Sequence, residues 1–290
     1  MNGIKLITPV EPGRSTVSVS VNDRTMVLGS CFADNIGSRM ADLGFDVCVN
    51  PFGTLYNPVS ICNSVARMAS GMPFSINDCR QMGAGSDLFC SFSHHTSFAR
   101  RTKEEFLQNA NGALKAAAEF WNSASKVIIT LGTAWCFEYS ESGEIVSNCL
   151  KIDAKEFRRM KLGVQAVSAM LSSLVRRHPE KEFIFTVSPI RHLKDGAHGN
   201  QLSKSTLLLA MDDVCASFPE RTSYFPAYET VLDELRDYRF YADDLVHPSS
   251  VAVDILWQRF LDFALPQGER SEVEERARSL RRSCHREIHP

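Results

Sequence analysis

No stretch of this 290-residue chain approaches the ~20 consecutive apolar residues that a membrane-spanning helix needs. Neither sign of charge prevails: 32 basic against 34 acidic side chains leave a net −2. That balance gives no long-range pull toward nucleic acid or an anionic membrane, so neither is expected as a partner. The segment Met1 to Ser20 lacks the basic-then-apolar layout of a secretion signal, and Pro9, Pro12 and Gly13 interrupt it. The cytoplasm is therefore the expected location. Cysteine is plentiful, but its paired spacing is missing. There are nine cysteines, an odd number, and no C-x-x-C pair. This argues against a disulfide scaffold and against a structural zinc site. Most of these thiols are expected to act as small buried hydrophobes.

What is present is a recurring short apolar run bounded by turn residues. Thr25–Leu28, Asp46–Val49, Val127–Leu131 and Phe183–Val187 are such runs, and Thr222–Phe225 is a weaker one. Their length and branched content suit buried parallel strands. Helical stripes lie between them: Ile36, Met40 and Leu43; Phe106 through Trp121; Phe157, Val164, Val167, Leu171, Leu174 and Val175; Leu207 to Phe218; and Val251 to Phe260 after Pro248, read as a first-turn proline. Phe137–Tyr139 and Glu144–Val146 read as a small hairpin. Gly71 to Ser97, without a period, reads as an excursion over the ligand crevice. Residues 1–266 are expected to form one α/β domain, and 267–290 a charged helical tail with a solvated face.

Strands alternating with helices give a parallel sheet covered on both faces, with its crevice at the carboxyl ends of the strands. Gly29-Ser30-Cys31 directly follows the first strand. A nucleophile on such a turn projects near a helix amino terminus, where free N–H groups stabilise a thiolate or an oxyanion. Late in the chain stands Asp244-Leu245-Val246-His247-Pro248. Two residues between acid and histidine let the carboxylate fold back onto the imidazole, fix its tautomer and stabilise its cation. Asp243 is an adjacent competitor for the acid role. Arg191 and His192, after the fourth strand, stand where an anionic or sugar-like ligand is met. Asn200 and Ser203 read as helix caps. His94 and His95 are adjacent and read as packing residues, so no metal site is expected.

Val27-Leu28-Gly29-Ser30-Cys31-Phe32-Ala33 resembles the signature of the GSCFA family, which is grouped with the SGNH, or GDSL-like, hydrolases. Further blocks resemble the family in order, among them Asn50–Pro58, Thr130–Trp135, Thr186–His192 and Asp233–Tyr241. The resemblance implies a three-layer α/β/α sandwich of flavodoxin-like topology, ester or related acyl chemistry, and no metal or organic cofactor. Laid on the SGNH pattern, Cys31 takes the nucleophile position, and a one-residue shift of the turn presents Ser30 instead. His247 is the implied base and Asp244 its orienting acid.

SGNH enzymes draw oxyanion donors from the nucleophile's N–H, a glycine after the second strand and an asparagine after the third. Gly53 matches the glycine, and Gly132 follows the third strand, but Ala134 stands where the asparagine falls. Asn57, Thr133 or His95 is expected to compensate, and His95 joins Arg191 and His192 as a substrate-binding candidate. The implied substrate is a small-molecule or carbohydrate-linked ester, acetyl esters included. Two alternatives remain: a ligand-binding protein on the same fold, and a thiol sensor pairing Cys31 with Cys136. Oligomeric state is left open.

Overall fold

The computed structural model of the chain describes residues 7–288, without the side chains of 281 and 283–288. The Cys284 side chain and residues 1–6 of the Met1-to-Ser20 segment lie outside what is described. Five strands make one parallel sheet: β1 (Arg24–Gly29), β2 (Asp46–Val49), β3 (Lys126–Leu131), β4 (Glu182–Val187) and β5 (Thr222–Tyr224). Their order is β2-β1-β3-β4-β5, the flavodoxin-like arrangement. Chain order reverses between β1 and β3, which pair from Thr25↔Lys126 to Gly29↔Thr130. The crevice of such a sheet opens at that switch point, beyond the carboxyl ends.

Strand side chains alternate between two cores, as a period of two requires. Met26, Leu28, Ile129 and Phe185 face one way. They are covered by α2 (Pro58–Ser70), α3 (Lys103–Ser123), α4 (Val164–Arg177) and α5 (Gly196–Ser217). Val27, Ile128 and Ile184 face the other way, against α1 (Cys31–Asp42) and α6 (Ser250–Ala264). The last helix, α7 (Arg270–Ile288), buries Val273 in that second core, and Arg276 donates to Leu43 O at 3.0 Å. The chain is thus a three-layer α/β/α sandwich. No helix among the described residues is long and apolar enough to cross a membrane.

Four sequence readings need correction. Phe157 is not part of the α4 stripe; it opens a strand, Phe157–Lys161, that pairs antiparallel with Trp135–Tyr139. The expected hairpin, Trp135–Tyr139 with Ile145–Val146, is therefore the core of a three-stranded antiparallel sheet. α5 starts at Gly196 rather than Leu207, so Asn200 and Ser203 lie inside the helix and cap nothing. Pro248 stands ahead of the Ser249 cap, outside the first turn of α6. The Gly71–Ser97 excursion does not line the crevice; it wraps His94 in Phe52, Phe74, Phe98 and Phe106.

Candidate active site

The turn after β1 admits only glycine at position 29. Gly29 has φ +138°, and an added Cβ would lie 2.1 Å from Thr130 O. The turn is then pinned from the β2 side. Gly29 N donates to Asn50 Oδ1 at 2.7 Å, and Asn50 Nδ2 donates to Asp34 Oδ1 at 2.6 Å. Burial raises the Asp34 carboxyl above its ordinary range. Leu55 N donates to Gly29 O at 2.9 Å. Ser30 is 1% exposed and caps α1, its Oγ accepting from Phe32 N at 3.3 Å. Cys31 is the first residue of α1, where N–H groups have no partner inside the helix. Its thiol is partly exposed and lies 3.7 Å from Tyr56 Oη. Burial pushes the Tyr56 phenol up to about 12, so it keeps its proton at neutral pH.

The second half of the centre is a closed loop. His247 Nδ1 and Asp244 Oδ2 are 2.6 Å apart. Asp244 Oδ1 accepts from Val246 N at 2.9 Å and His247 N at 3.0 Å. These bonds, the His247 N–H first and the ring next, hold the carboxyl down to about 2. Asp244, and not Asp243, makes the bond to the ring. The reversal needs Leu245 at φ +57°, and Ala242 N closes it on His247 O at 2.8 Å. Arg191 N donates to Val246 O at 3.3 Å, tying the loop to the end of β4. Both side chains stay open: Asp244 is 50% and His247 44% exposed.

Both halves line one cavity of about 640 Å³, together with Tyr56, Asn57, Thr133, Arg191 and His192. Among the described residues no hydrogen bond joins His247 to Cys31 Sγ or Ser30 Oγ. Asn57 caps α2 through Oδ1, which accepts from Ser60 N at 2.9 Å, and this leaves its amide end for other partners. Gly53, Gly132 and Thr133 are placed differently from the expectation. Their N–H groups are occupied inside the scaffold, Gly53 by Asn50 O at 2.7 Å, Gly132 and Thr133 by Tyr56 O at 2.8 and 3.1 Å. His95 is off the cavity wall, packed on Gly53, with Nδ1 against Ser97 Oγ at 3.0 Å. His192 reaches the wall; burial pushes its imidazole down to about 4, so it is neutral at physiological pH. Cys136 is fully buried and off the wall, and burial pushes its thiol up to about 12.

The model of the GSCFA family matches residues 24–260, a span that includes the β1 turn and the His247 loop. The chain belongs to the GSCFA family. Neither a curated relative nor a solved structure matches it.

Three residues beside this cavity take roles that the sequence reading did not assign them. Lys204, fully buried in α5, donates to Gly132 O at 2.6 Å and Ser188 O at 2.7 Å. It thereby clamps the ends of β3 and β4 beneath the cavity, and burial pushes its ammonium down to about 7. Ser203 Oγ accepts from Ala134 N at 2.8 Å and meets Thr133 Oγ1 at 3.0 Å. Tyr56 stands over Cys31 and holds β3's exit through its carbonyl. A lysine and a serine at helical spacing from Leu207 were the available signal for the first two. Tyr56 lay within a family-like block but carried no spacing that assigned it a role.

Proposed function

We propose that this GSCFA chain is an SGNH-type hydrolase or acyltransferase that acts on an ester, with Cys31 as nucleophile, His247 as base and Asp244 as the group orienting the base. One juxtaposition carries the reading: a thiol at a helix amino terminus and an imidazole already bonded to a carboxylate line the same cavity. The strand order and a Gly-Ser-Cys turn at the end of β1 support the superfamily assignment. Ser30 is the weaker nucleophile because its hydroxyl is buried and engaged as the helix cap.

With Nδ1 held by Asp244, Nε2 is the nitrogen that takes the thiol proton. Apo catalytic bonds are often longer than those of the substrate complex, so the missing thiol–imidazole bond forms as the cavity fills. Sγ adds to the ester carbonyl, and the resulting oxyanion meets the Cys31 N–H, the Tyr56 hydroxyl and the Asn57 amide. Tyr56 and Asn57 thus stand in for the asparagine replaced by Ala134. Collapse expels the alcohol with the proton from His247, and water or a second alcohol then resolves the thioester. Asp244 stays ionised above about pH 2 and so balances the imidazolium throughout. Acetyl and carbohydrate-linked esters are the substrates to test first.

A binding protein on the same scaffold is the second reading, favoured by Ala134 and by the lack of a hydrogen bond between His247 and Cys31 among the described residues. Hydrolysis of p-nitrophenyl acetate separates the two. Cys31→Ala and His247→Ala should each lower kcat/KM by about 100-fold or more, and Ser30→Ala by less than about tenfold. Wild-type rates in both of the first two variants would remove the enzyme reading.

A further inference from the structure

We infer that the ester taken at this centre carries a negative charge on its alcohol part, held by Arg191 and Lys194 beside an aromatic wall. The inference rests on the hydrolase reading above. The chain as a whole has net charge −2, yet the cavity is lined by Arg159, Arg191 and Lys194 against a single carboxylate, Asp195. Asp195 is already ion-paired with Arg159. Asp244 is off the cavity wall and accepts three bonds within its own loop.

Among the described residues neither Arg191 nor Lys194 has a carboxylate partner in an ion pair. Arg191 is nevertheless held in place: it donates to Tyr241 Oη at 2.8 Å, and its guanidinium carbon sits 4.1 Å from the Tyr241 ring centroid. One of five donors is thereby used, leaving a pre-oriented fork for an anion. Its backbone is bonded to Val246, next to the base, so the charge it meets belongs on the departing alcohol rather than on the acyl group bound near Cys31. Trp135, with Arg159 4.2 Å above its ring, and Phe137 supply a flat apolar wall for that alcohol.

The test compares 4-acetoxybenzoate with methyl 4-acetoxybenzoate, each rate divided by its hydroxide-catalysed rate. The charged ester should be preferred by about tenfold in kcat/KM, and added salt should shrink the preference. Arg191→Met and Lys194→Met should each bring the ratio toward one; Lys194 is exposed, so its variant reports even where Arg191→Met loosens the loop. A wild-type ratio of one or less, or a ratio neither variant moves, overturns the inference. Calorimetry with 4-acetamidobenzoate and its methyl ester needs no turnover. Tighter binding of the charged amide, weakened in Arg191→Met, with neither ester cleaved, keeps the anion site and removes the hydrolase. Equal binding of the two amides, with Cys31-dependent cleavage of both esters, does the reverse.

Discussion

The two halves of the centre are built to different standards. The Gly29–Cys31 turn is clamped from three sides: a carbonyl leaves no room for a side chain at 29, Asn50 holds the Gly29 N–H, and Leu55 holds the Gly29 carbonyl. The Asp244–His247 loop is fixed chiefly by its own carboxylate, and its side chains face solvent. A buried turn places the Cys31 thiol once, during folding. An open loop leaves the His247 imidazole room to adjust against whatever enters the cavity. The missing bond between His247 and Cys31 falls at the seam between the rigid half and the adjustable one.

The largest effect should come from breaking the rigid half. Gly29→Ala puts a Cβ against Thr130 O at a φ that alanine avoids. It should cost about 4 kcal/mol of stability, close to a thousandfold in the folding equilibrium, as measured by urea unfolding. Full stability in that variant would mean that the turn can relax. The open half should behave in the opposite way. Asp244→Asn keeps an acceptor for the two loop N–H groups and loses the charge. Activity on p-nitrophenyl acetate should fall about 100-fold, while the unfolding midpoint stays where it is. A large loss of stability there would show that the carboxylate holds more than its own loop.

The smallest effect sets a buried histidine of the scaffold against the exposed one of the loop. Burial pushes His94 down to about 3, so on acidification the unfolded chain takes up a proton near pH 6.5 that the folded chain refuses. More protons bound in the unfolded state means that stability is lost as pH falls from about 6.5 toward 3. Between pH 6 and 5 this term is about 1 kcal/mol. His94→Phe should flatten that part of the stability profile, read by urea unfolding at the two pH values. An unchanged slope would show that the ring can reach a proton acceptor in the folded state.

The sheet was legible because buried parallel strands are short apolar runs, and 46–49 and 127–131 stand out for that reason. The Asp244–His247 pairing was legible because an i,i+3 bond depends on spacing alone. The clamp under the cavity was not. Gly196 to Lys204 contains two glycines and few apolar residues, so its helix is set by packing along α5 rather than by periodicity. Lys204 then looks like a surface residue until its two carbonyl acceptors, from strands 72 and 16 positions away, are seen. The oxyanion expectation strayed for a related reason. Which backbone N–H groups remain free depends on where Tyr56 O lies, and a local motif does not encode that. Phe157 matched a helical stripe only because one large apolar residue fits either period.

The cap at Ser30 makes the signature directional. Position 30 sends its side chain inward to close the helix, and position 31 sends its side chain out beside Tyr56. Transposing the two letters to Gly-Cys-Ser would preserve composition, charge and both functional groups, yet it would inter the sulfur and leave a hydroxyl at the mouth of the cavity. Polarity of the tripeptide, rather than its inventory, is what a related chain must share to work in the same way.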